Sequence, residues 1–94
     1  MTEIVIRELG GQCPVQGNGT IGGIEFYFRA RGEWWTLGIG GDPVLEPDWY
    51  HEEQYSNFDK TNDPHDMFAA GHMLYEEAAG FLFKAIRLYL EHRS

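Results

Sequence analysis

Ile24–Ile39 reads IEFYFRARGEWWTLGI, and this stretch decides the fold. Apolar and polar side chains alternate on both sides of Arg31-Gly32, which predicts two antiparallel strands joined by a tight turn. Pairing across that turn sets Ile24 against Ile39, Phe26 against Leu37 and Phe28 against Trp35, gathering the large apolar side chains on one face. The other face carries Tyr27, Arg29, Trp34 and Thr36. There the register sets Arg29 opposite Trp34, where a guanidinium stacked on the indole contributes about 0.5–1 kcal/mol.

Upstream, Val15–Ile21 (VQGNGTI) predicts a strand, and Gly22-Gly23 predicts a two-residue hairpin turn with positive φ. The resulting register puts Gly19 opposite Phe26 and Gly17 opposite Phe28, leaving room for the facing rings. GNGTIGG is not a phosphate loop, because it lacks the Lys-Ser/Thr ending and no helix follows. Glu3–Leu9 (EIVIREL) predicts a first strand with Ile4 and Ile6 on one side and Val5 and Leu9 on the other, ended by Gly10-Gly11. Cys13 stands just before Pro14 with no neighbouring base to lower its pKa, so it is expected to be a loop or core thiol.

Downstream the pattern stops at Gly40-Gly41-Asp42-Pro43. Asp42–Asp66 holds eight acids against Lys60 alone, a net of −7, out of −8 for the whole chain. It predicts a long acidic connection, with a short helical turn from Pro47 through Glu53 tied down by Trp49 and Tyr50. Asp63-Pro64 predicts a short helical piece to about Ala70, interrupted by Gly71. The main helix is expected over Leu74–Glu91, with a polar stripe of Glu77, Gly80, Lys84, Arg87 and Glu91. Its apolar surface is wider than one sheet face covers. Phe83, Ile86 and Leu90 therefore invite a second copy of the chain or a cover from Trp49, Tyr55 or Phe58, and a homodimer is expected.

Ninety-four residues, 43% hydrophobic and 15% aromatic, match one domain, residues 1–94, with a packed core. The expected class is α+β: an antiparallel meander of three to four strands packed by the C-terminal helix. A lone cysteine, no signal-like N-terminus and no membrane-length apolar run lead to an expectation of a cytoplasmic protein. The net charge of −8 disfavours direct binding of nucleic acid and favours a basic partner.

No catalytic motif stands out. His51 with Glu52 and Glu53, and His65 with Asp66 and His72, lack a known metal-ligand spacing, and Asp59-Thr61-Asp63 lacks the glycine and terminal glutamate of a calcium loop. No cofactor or metal is expected. Tyr27, Trp34, Trp49, Tyr50 and Tyr55 are either a second packing layer or an interface, since interfaces favour such side chains.

GNGTIGGIEFYFRARGEWWTLGIG, followed by an acidic Trp-containing connection and a terminal helix, resembles small phage and prophage proteins, including those of the anti-CRISPR type. The resemblance implies a non-enzymatic inhibitor acting in a bacterial host. It transfers no binding residue; the charge concentrated in Asp42–Asp66 makes that segment the expected interaction surface, imitating nucleic-acid phosphates in the basic channel of a nucleic-acid-binding protein. The expected partner-binding residues are Asp48, Trp49, Tyr50, Glu52, Glu53, Tyr55 and Asp59. A dimeric assembly module and a small metal-dependent hydrolase stand as alternatives.

Overall fold

The computed structural model describes residues 2–11, 14–55 and 74–93. Cys13, Phe58, Asp59, the Asp63-Pro64 helix start, His65, Asp66 and His72 lie outside the described residues. Five strands, β1 (Ile4–Gly10), β2 (Val15–Ile21), β3 (Ile24–Arg31), β4 (Trp34–Asp42) and β5 (Glu46–Gln54), form one antiparallel sheet in chain order, and helix α1 (Tyr75–Arg93) follows. The fold is the expected α+β meander with a C-terminal helix, with one strand more than the three or four expected.

The β2–β3 hairpin has the expected register, with Gly22 and Gly23 at φ of 57° and 83°. The β3–β4 hairpin differs. Phe26 pairs with Ile39, Phe28 with Leu37, Ala30 with Trp35 and Arg31 with Trp34, so the turn residues are Gly32-Glu33 rather than Arg31-Gly32. Gly32 thereby takes the first turn position at φ 63°, where both favoured two-residue turns need positive φ. The correction displaces the pairing by two residues, and the side-chain period is two, so every side chain keeps its face. Arg29 now stands opposite Thr36, and the stack expected on Trp34 is replaced among the described residues by one cation–π contact elsewhere, Arg93 over Tyr89 at 5.4 Å.

Residues 46–54, expected as connection and helical turn, are strand β5, paired with β4 from Asp42↔Glu46 to Trp34↔Gln54. The ladder continues into Tyr55, whose N–H donates to the Glu33 carbonyl at 2.7 Å. Without β5 the buried strand β4 would carry a row of unsatisfied backbone groups, a larger penalty than one proline on an edge strand. Strand β1 also departs from simple alternation. A bulge between Ile6 and Glu8 brings Leu9 opposite Gly17, so Leu9 joins Ile4 and Ile6 against the core instead of facing away with Val5.

The core lies between one sheet face and α1. Val15, Ile21, Phe26, Phe28, Ala30, Trp35, Leu37 and Ile39 meet Ala78, Leu82, Ala85, Ile86 and Tyr89, the last five spaced as one helix face. Trp35 is fully buried, stacked on Phe81 with ring centroids 5.2 Å apart. The space at Gly19 is taken by the Phe26 ring and by the Val5 carbonyl oxygen, 1.9 Å from where a Cβ would stand. At Gly17 it is Leu9, not Phe28, that fills the space. Of the three helix residues expected to need a cover, Ile86 is buried and Leu90 packs partly on the core, while Phe83 is exposed, as are Tyr75 and Leu88 on the same helix. No helix of the described residues is long and apolar enough to cross a membrane.

Candidate functional site on the open sheet face

Alternation along β5 sorts the expected partner-binding residues into two sets. Trp49, His51 and Glu53 face α1, while Tyr50 and Glu52 face away from it with Gln54; at the bent start of the strand Pro47 lies over Gly38, and the Asp48 side chain lies against Gly40 and Gly41. Trp49 packs edge-on against Tyr89 at 5.5 Å and stacks on His51 at 5.9 Å. Glu53 accepts from Lys84 Nζ at 2.9 and 3.1 Å, and these contacts hold its carboxyl below the ordinary carboxylate range. His51 Nε2 lies 3.3 Å from Glu53 Oε1 without the alignment of a hydrogen bond. Tyr55 is buried, and its hydroxyl donates to Glu77 Oε2 at 2.8 Å. Glu77 also accepts from the Leu74 N–H, so a single carboxylate ties the start of α1 to the end of β5. Trp49, Glu53 and Tyr55 are thus engaged inside the molecule, whereas Asp48, Tyr50 and Glu52 present an outer surface.

That surface is continuous with a cleft on the sheet face opposite α1. The loop between β4 and β5 builds one wall. Gly40 and Gly41, at φ of 79° and 59°, bend the end of β4, and Asp42 Oδ1 accepts from the Val44 and Leu45 N–H groups at 3.1 Å each, closing a side-chain-capped turn. The turn folds back over Gly38, where a Cβ would stand 2.3 Å from the Pro43 carbonyl oxygen. Only a residue without a side chain seats the loop there.

The cleft, about 290 Å³, is lined by Tyr27, Arg29 and Arg31 from β3, Trp34, Thr36 and Gly38 from β4, Pro43 and Val44 from the loop, and Tyr50 from β5. Among the described residues two arginines and no acid line it, in a chain of net charge −8. The tyrosine hydroxyls point their protons elsewhere: Tyr27 to Gln16 at 2.9 Å, and Tyr50 to Glu52 at 3.0 Å. Tyr50 has its pKa raised, first by burial and then by Glu52, so the phenol keeps its proton. Among the described residues the other cations near the sheet are paired, Arg7 with Glu25 and Lys84 with Glu53. Arg29 Nε is shut off from solvent without an acceptor among the described residues.

The sequence marks Tyr27, Trp34 and Tyr50 as candidate contact aromatics. It misses Arg31, assigned to the turn, and Pro43-Val44, assigned to a connection, because both placements follow from the corrected register and from β5. Among the described residues no group of three His, Cys, Asp or Glu side chains is gathered as a metal site would require. No family model, curated protein or solved structure matches the chain, so the geometry alone must carry a functional reading.

Proposed function

We propose that the protein acts without catalysis, by binding a basic nucleic-acid-binding protein through the acidic outer face of β5 and occluding the channel that normally holds phosphates. The observation that carries this is the setting of Glu46, Asp48 and Glu52: exposed acids on a strand hydrogen-bonded along its length to β4, at the edge of the described sheet. A strand rises about 3.4 Å per residue, so the frame fixes the spacing of these charges, as a nucleic-acid backbone fixes that of its phosphates. Ordering those charges before binding removes part of the entropy cost that a loose acidic loop would carry. Edge placement leaves the acids accessible, and the same charges discourage edge-to-edge pairing of two copies.

The test is capture on immobilised protein at low and high salt, comparing wild type with the triple variant Glu46→Gln, Asp48→Asn, Glu52→Gln. Basic nucleic-acid-binding proteins are expected on wild type at low salt, released by added DNA or by salt, and absent from the variant. Capture by the triple variant equal to wild type at both salt concentrations refutes the proposal.

A further inference from the structure

The cleft has a chemistry opposite to that of β5, and the acidic-edge proposal does not use it. We infer that it is a binding site for a small aromatic anion: one ring system carrying a carboxylate or a phosphate. The volume of about 290 Å³ lies near the lower end of ligand-site sizes, about 300–1,000 Å³, and suits one ring with its charged group.

Each half of that ligand has a counterpart on the page. Arg29 and Arg31, two residues apart on β3, present guanidinium groups to one side of the sheet, and no carboxylate partner stands beside either among the described residues. Planar guanidinium forks match carboxylates and phosphates with paired hydrogen bonds. The buried Arg29 Nε without an acceptor shows a guanidinium held by packing instead of by a salt bridge. The rings of Tyr27, Trp34 and Tyr50 supply the other half: with both tyrosine hydroxyls committed to Gln16 and Glu52, they offer π faces and apolar edges, and Trp34 is 45% exposed. Pro43 and Val44 close the side formed by the loop. Glu52 is the adjacent anion, joined to Tyr50, and its charge opposes binding.

The site is tested by two-dimensional NMR of backbone and indole N–H groups, titrating the whole protein with phenyl phosphate, benzoate, phenol and inorganic phosphate. Shifts are expected at Trp34, Thr36 and Val44 with one or both of the aromatic anions, and the stronger of the two identifies the charged group as phosphate or carboxylate. Arg31→Gln, at an exposed position where the fold is not at risk, is expected to weaken binding about tenfold or more, as loss of a charged hydrogen-bond partner implies. Trp34→Ala acts in the same direction, Arg7→Gln leaves binding unchanged, and Glu52→Gln strengthens it. Absence of shifts at millimolar ligand, shifts centred elsewhere, equal binding of inorganic phosphate alone or of phenol, or an Arg31→Gln variant that binds as wild type each overturn the inference.

Discussion

Replacing Trp35 tests both the docking of α1 and the hydrogen-bonding state of the core. Trp35 is 0% exposed, stacked on Phe81 at 5.2 Å and flanked by His51 at 5.4 Å and Phe28 at 5.8 Å, so it joins helix, β3 and β5 at one point. Trp35→Ala removes the largest fully buried side chain and leaves a cavity that three aromatic neighbours cannot close, at a cost of about 3–5 kcal/mol. For a domain of this size each kcal/mol moves Tm by about 4–8 °C, so a fall of at least about 12 °C is expected in differential scanning calorimetry. Trp35→Phe separates two terms. It gives up part of the ring volume, but it also removes Nε1–H, a buried donor with no acceptor among the described residues. Leaving such a donor unsatisfied costs about 1–3 kcal/mol, so its removal offsets most of the lost packing and Trp35→Phe is expected to fall well short of Trp35→Ala. Equal losses in the two variants refute the unsatisfied donor. A near-neutral Trp35→Ala refutes the docking of α1 on this face.

Gly19→Ala places a methyl carbon 1.9 Å from the Val5 carbonyl, so β1 must detach from β2; hydrogen exchange across Ile4–Gly10 is expected to accelerate more than exchange in β3. Lys84→Met removes the partner that lowers the Glu53 pKa below its ordinary 4.5. A depressed carboxyl stabilises the fold above its unfolded pKa and loses that contribution as pH falls through the folded value. The Tm difference between wild type and Lys84→Met, about 0–1 kcal/mol in free energy, is therefore expected to be constant near neutrality and to shrink below pH 4.5. Tyr55→Phe breaks the hydroxyl contact to Glu77 and is expected to cost about 0.5–1.5 kcal/mol by denaturant titration; no change in the midpoint would show that this contact contributes nothing.

The hairpins and the helix were legible in the chain itself, for a local reason. Alternation in Ile24–Ile39 is strong enough that a turn misplaced by one residue, and a pairing shifted by two, still left Phe26, Phe28, Trp35 and Leu37 on the buried face. The spacing of Ala78, Leu82, Ala85, Ile86 and Tyr89 likewise needs nothing beyond the helical period. Strand β5 was not legible. Its inward row of Trp49, His51 and Glu53 mixes ring, imidazole and carboxylate, and Glu53 is tolerated there because Lys84, 31 positions later, reaches it. No local pattern announces a contact of that range. The cleft depends on tertiary structure again: Arg31 belongs to it because β3 extends through that residue instead of turning there, and its loop wall exists only because β5 returns along β4 and seats Pro43 over Gly38. Sequence alone therefore determined which faces are apolar, through periods of two and 3.6 residues. The long-range pairing that satisfies the free edge of β4 decided where the charges stand, and with them both candidate surfaces.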